Sequence, residues 1–308
     1  MTKKLFIILM ALVCTSMLMA QEITVVASNG TTHFYQTFTQ AIENATGNSV
    51  IYLPEGGFSL SDDVKITRKV TIIGVGHQGK RGKVIGVTNI GGNLYFEEGS
   101  NGSAVLGCYL TGTLNVNVCD FLLMYCNAGN INVIASSVGT TINQNFIRGD
   151  INFNGARGTV TNNILRHVYN MNGGAIRCNV FARDTNLSNV SNAFITDNVF
   201  VVWGSHSGSD IKASHNLFIG AEWGEDPLNL TDVTAADVFM KDNGVASTSN
   251  YHFQEDYSHY ETLYGIYAGT SFNDLQAASV PALVVKKVDE QTNTSGQLKV
   301  QARIKSAK

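Results

Sequence analysis

Proline is almost missing from this chain: Pro54, Pro227 and Pro281 are the three in 308 residues. Polyproline spacers and collagen-like repeats are thereby excluded. Charge is scarce, at 15%, and nearly balanced, with 21 Lys and Arg against 24 Asp and Glu. Nothing basic accumulates to neutralise phosphates, which argues against a nucleic-acid partner. Zinc-type Cys/His spacing, a phosphate-binding glycine loop and a Ser-His-Asp spacing are all absent, and neither a metal nor a cofactor is expected.

Long apolar runs are absent beyond the first twenty residues. There, Lys3 and Lys4 precede an apolar stretch from Leu5 to Val13, and Ala20 supplies a small residue for cleavage. This reads as a signal peptide at 1–20 and implies secretion to the periplasm, cell surface or medium. The stretch is short for a membrane anchor. Cys14 raises lipidation, against which the bulky Val13 stands. No membrane span is expected after cleavage.

What the chain has in quantity is glycine, 30 residues, and asparagine throughout. Both tolerate left-handed backbone, so many tight bends are expected. The asparagines have a period. Asn145, Asn163, Asn179, Asn198 and Asn216 recur at gaps of 18, 16, 19 and 18, and the same step backwards reaches Cys126 and Cys108. Three residues before this anchor stand Val105, Leu123, Ile142, Val160, Ile176, Ile195 and Ala213. Two residues after it stand Leu110, Ala128, Ile147, Leu165, Phe181, Phe200 and Phe218. Both columns are apolar throughout. The residue just before the anchor is mostly polar or small. Further on, "TLNVN", "NINVI" and "DINFN" alternate apolar residues with Asn, a strand period.

A repeat of about 18 residues built from short strands is too short for helical hairpins or propeller blades. It fits one coil of a parallel β-helix, whose coils stack at strand spacing, so that equivalent residues form columns. A buried asparagine column then satisfies itself, amide to amide, and is expected to take the bend's unusual dihedrals. The fold class is all-β, a right-handed single-stranded parallel β-helix. Phe34, Phe38, Ala41, Ile42 and Ala45 share one helical face, which predicts a helical lid over the first coil. The divisions read from sequence are 1–20 as signal peptide, 22–245 as β-helix with its cap, and 246–308 as a segment packing on it.

The segment "TFTQAIENATGNSVIYLPEGGFSLSDDVKITRKVTIIGVG" at 37–76, followed by the "IxxNxF" coils, resembles the opening of pectin-lyase-like right-handed β-helix proteins. The tail from 249 to 307 is similar to the end of secreted bacterial β-helix proteins of unassigned function. The resemblance implies the fold. It does not imply one chemistry, because the fold hosts lyases, hydrolases, esterases, adhesins and inert surface proteins. Pectate lyases use an arginine base in an R-x-P-x-x-R context, but here Tyr52, Glu225 and Ser279 stand two places before the prolines. The polygalacturonase aspartate pair and Gly-His-Gly segment have no counterpart. "RIK" at 303–305 belongs to an amphipathic terminal strand.

One surface stripe remains for chemistry. Arg148, Arg166 and Arg183 follow the anchor by three or four places, with Asp150, His167 and Asp184 beside them and Trp203 and His206 a coil later. Stacked coils would align them into a ridge. It reads either as a glycan-binding surface, arginine taking carboxylates and tryptophan sugar faces, or as a solvated turn with incidental ion pairs. The column just after the anchor, Tyr109, Asn127, Phe146, Ile164, Val180, Val199 and Leu217, is too apolar to leave in water. It is expected to lie under the strands around Val280–Val285 and Leu298–Ile304, or to serve as an oligomer interface, unless the bend turns it inward. Cys108 and Cys126 are close enough for a disulfide, but parallel side chains in a stack favour free thiols. Cys119 and Cys178 show no pairing by spacing. Function is therefore expected to be non-catalytic glycan binding or adhesion at the cell envelope, with polysaccharide or cell-surface glycan as partner. The alternative is a polysaccharide lyase or glycoside hydrolase with an unfamiliar site on the ridge.

Overall fold

The computed structural model describes residues 22–60, 62–77, 86–241, 250–269 and 272, and the backbone of Ala282–Val288 and Val300–Lys305. The signal peptide expected at 1–20 lies outside the described residues, as do Val280, Leu298 and Lys299.

Alternation sets the strands, and residues in left-handed backbone, many of them glycine or asparagine, set the corners. The chain winds into a three-faced parallel β-helix. The first face is a stack of nine parallel strands running from Ser49–Tyr52 through Thr140–Asn143 to Lys212–Ser214. The second begins at Gly56–Ser59 and includes Tyr109–Leu110 and Phe146–Ile147; the third begins at Val64–Ile66 and includes Leu114–Val116 and Asp150–Asn152. From Ile164–Tyr169 onwards the last two faces join into single long strands, with irregular register between Leu165 and His167 and between Phe181 and Asp184.

Both apolar columns point inward. Val105, Leu123, Ile142, Val160, Ile176 and Ile195 are sealed on the first face, and Leu110, Ala128, Ile147, Leu165, Phe181, Phe200 and Phe218 on the second. The three phenylalanines stack, with centroids 4.7 and 4.9 Å apart and planes within 13° and 14°. Offset aromatic pairs at such distances each contribute about 0.5–1.5 kcal/mol beyond area burial.

The asparagine column is a continuous ladder. Each Nδ2 donates to the Oδ1 one coil on, at 3.1 Å from Asn145 to Asn163 and from Asn163 to Asn179, then 3.0 Å to Asn198 and 3.0 Å to Asn216. The same oxygens accept the backbone N–H of the preceding rung at 2.8–3.1 Å. Cys126 and Cys108 occupy the first rungs as free thiols. Cys126 Sγ lies 3.2 Å from the Met124 carbonyl, and the Cys108 N–H donates to that sulfur at 3.4 Å. Burial pushes the Cys126 thiol up to about 12, so it stays protonated and inert. The next coil brings Pro227 to this column, beside the register pair Leu217–Leu228. Having neither amide nor N–H, it ends the ladder.

One expectation about the ladder needs correction. The asparagines do not take the left-handed dihedrals. The residue before each does: Gly107, Tyr125, Gln144, Asn162, Cys178, Asp197, His215 and finally Asp226, with φ between 47° and 65°. This position turns the chain from the first face to the second. That leaves the ladder residue free to point inward.

Helix α1, Phe38–Asn44, caps the N-terminal end with Phe38, Ala41 and Ile42 buried, and the Thr37 hydroxyl accepts from the Gln40 N–H at 3.2 Å. Phe34 is not on its face. It lies on the strand Thr32–Tyr35 and is 60% exposed. That strand pairs antiparallel with Ile23–Val26, which pairs antiparallel with Ser49–Tyr52 and so covers the first sheet edge.

The stripe after the anchor is buried from Phe146 onwards under a segment running from Val238 to Phe272. The side chains of the strands expected there, around 280–285 and 298–304, lie outside the described residues. Phe146, Ile164, Val180, Val199 and Leu217 pack against Val238, Phe239, Tyr251, Phe253, Ile266 and Phe272. Asn162 Nδ2 donates to the carbonyls of Ile266 and Ala268 at 2.8 and 3.0 Å, and the Gly265 N–H to the Asp197 carbonyl at 2.8 Å. The stripe is thus covered within one chain rather than left for a second copy. The later strands, Ala282–Val288 and Val300–Lys305, pair antiparallel with each other.

Candidate functional site

The ridge foreseen from spacing separates into three groups. The register explains why. The corner between the second and third faces holds two residues, Arg148 and Gly149, then one, Arg166, then four, Ala182 to Thr185, so equivalent side chains no longer stack.

Arg148 turns back along the helix. Its Nε donates to Asn127 Oδ1 at 2.6 Å, its Nη2 to the Leu110 carbonyl at 2.7 Å, and its guanidinium sits 4.6 Å from the Tyr109 ring centre. It covers the start of the stripe whose remainder lies under the C-terminal segment. Two of its five N–H donors thus serve the fold.

The second group is Arg166, His167, Asp150 and Asp184. Asp150 and His167 are register partners on adjacent coils. Arg166 Nη2 is 3.5 Å from Asp184 Oδ1, with side chains 41% and 65% exposed, an exposed pair of small energetic worth. Its Nε is buried without a partner. His167 is 4% exposed, its ring 5.5 Å from that of Tyr169. Its Nδ1 accepts the Asn186 N–H at 3.0 Å, so the neutral ring carries its proton on Nε2. Desolvation, then the Arg166 charge, lower its pKa, with Asp150 and Asp184 opposing. A neutral ring protonated at Nε2 donates a hydrogen bond. It cannot take a proton from a substrate without giving up the Asn186 bond, so the geometry disfavours His167 as a general base. Arg183 lies on the surface, its carbonyl accepting from the Thr185 hydroxyl at 2.8 Å.

The third group is aromatic. Trp203 stacks on Trp223 at 5.2 Å and 14°, and His206 lies 4.1 Å from Trp223. The Trp203 ring also meets Phe200 and Phe218 edge-to-face at 4.9 and 5.6 Å. The cluster therefore continues the stacked phenylalanine core to the end of the helix and leaves part of both indoles at the surface. Desolvation lowers the His206 pKa. A groove of about 570 Å³ opens beside Trp203, between the last coils and the segment around Val233–Ala236 and Tyr251.

Spacing pointed to Trp203 and His206 individually. It gave no sign of the groove, because the far wall comes from a segment outside the repeat. Nor did it mark a second pair, His252 Nδ1 and Glu261 Oε1, 2.7 Å apart, with His252 stacked on Tyr267 at 3.9 Å. The alternation of buried Tyr251 and Phe253 around His252 was the available signal. Among the described residues no group of three or more His, Cys, Asp or Glu is placed to hold a metal ion. Two early acidic residues have other partners: Glu97 pairs with Lys65 at 3.1 Å, and Asp63 accepts from Asn93 at 3.0 Å. No described helix is long and apolar enough to cross a membrane. No family model, curated protein or solved structure matches the chain.

Proposed function

We propose that this is a secreted, non-catalytic β-helix protein of the cell envelope that binds glycan or adheres through it. In this reading residues 1–20 export it, and it belongs to the function-unassigned bacterial branch of the pectin-lyase-like superfamily. The observation that carries the reading is the part-exposed Trp203–Trp223–His206 cluster at the end of the helix, whose Trp203 also lines a groove. Indole faces beside a concavity suit sugar rings, whose C–H faces are apolar. The arginines of the expected ridge add less, since Arg148 is committed to the fold and Arg166 to Asp184. The bonding of His167 weighs against the lyase or hydrolase alternative.

The test is to incubate the chain without residues 1–20 with neutral and uronic-acid polysaccharides, measuring retention and shortened products together. Retention without product supports the reading. Product would overturn it in favour of an enzyme, and neither would leave envelope structure or protein adhesion.

A further inference from the structure

The groove beside Trp203 differs from the rest of the candidate surface in its charge. Ala182, Val201 and Ile219, from three successive coils, line one side, and Ala236 and Tyr251 the other, with Trp203 in the wall. None of its lining residues carries a carboxylate, ammonium, guanidinium or imidazole. The charged side chains one corner away, Arg183 and Asp184, are not among them. Its volume, about 570 Å³, falls in the usual range for a small-molecule site.

We infer that this groove binds an uncharged pyranose of a neutral polysaccharide, held against Trp203 and the alanine-lined walls, and that uronic acids are not its ligands. This rests on the glycan-binding reading and narrows it. A uronate in the groove would bury a carboxylate with no cation to pair it, which is costly. A neutral ring offers an apolar face to Trp203 and keeps its hydroxyls towards water and the backbone at the rim. The site adjoins the Trp203–Trp223 stack, so a longer glycan chain continues over Trp223.

Affinity electrophoresis with a neutral β-glucan, a neutral galactan and polygalacturonate tests it, on the parent chain and on Ala236→Arg, Trp203→Ala and Arg166→Ala. Ala236 is exposed on the far wall, so its arginine variant blocks the groove without touching the core. Trp203→Ala is interpreted only if its thermal unfolding is still cooperative. The expected result is retention by a neutral glycan, weakened about tenfold or more by Ala236→Arg and by Trp203→Ala and unchanged by Arg166→Ala. Retention by polygalacturonate alone, lost in Arg166→Ala, would overturn the groove while leaving glycan binding standing. So would neutral-glycan retention indifferent to Ala236→Arg. A sedimentation shift caused by Ala236→Arg with no change in retention would instead make the groove an interface between copies. Retention by no polysaccharide would sink the glycan reading itself.

Discussion

Asn163 gives one side-chain oxygen to two donors of Asn145, the backbone N–H at 2.8 Å and the amide Nδ2 at 3.1 Å. Its own Nδ2 donates to the carbonyls of Ile142 and Thr161, both at 2.8 Å. Replacing it with alanine leaves the buried Asn145 N–H without its acceptor and takes one donor from each of two carbonyls, while Asn145 Nδ2 keeps the Leu123 and Asn143 carbonyls. Asn163→Ala is expected to lose about 1–3 kcal/mol, read as a lowered midpoint in urea unfolding. An unchanged midpoint would mean that the ladder is decoration on a helix held by its apolar columns alone.

The left-handed column offers the opposite effect. His215 sits at φ 50° with its ring exposed. An L-residue is disfavoured there by about 1–2 kcal/mol, which glycine avoids at some cost in unfolded-chain entropy. His215→Gly is expected to raise the thermal midpoint slightly. The same exchange at the buried Asn145, which is not left-handed, should lower it sharply.

Asn162 joins the helix to its cover. Glycine at 162 keeps the left-handed bend and removes the two bonds to Ile266 and Ala268. Asn162→Gly should speed amide exchange across 265–269 while slowly exchanging amides of the first face keep their protection. Loss of protection throughout would show that helix and cover unfold as one unit.

His167 and His206 both have pKa values lowered by burial, so the unfolded chain binds protons more readily than the folded one. Stability is then flat above the unfolded value of about 6.5 and falls as pH drops below it, until the folded groups also take up protons. In His167→Asn an amide oxygen can replace Nδ1 as acceptor for Asn186. That variant should show a shallower decline in unfolding free energy between pH 7 and 5. An identical slope would assign the pH dependence to other groups.

Sequence alone determined the solenoid. A fixed step between anchors, two apolar columns at fixed offsets and amides that satisfy one another only in a stack leave little else for Asn145 to Asn216 to do. It also placed Cys108 and Cys126 on the same column, because a thiol can occupy a rung that an amide otherwise fills. Period could not say which residue takes the left-handed bend. Gln144 and Asn145 are both amides, and only backbone φ separates them. Nor could it say which segment covers Phe146 to Leu217, since Val238, Phe253 and Ile266 belong to no repeat and reach the stripe through long-range packing. The candidate site divides in the same way. Its residue types were visible in the chain. The corner of changing length that scatters Arg148, Arg166 and Arg183, and the groove that Trp203 shares with Ala236 and Tyr251, follow from register and docking. These are settled only once the coils are stacked, because they depend on distances between residues that the sequence holds far apart.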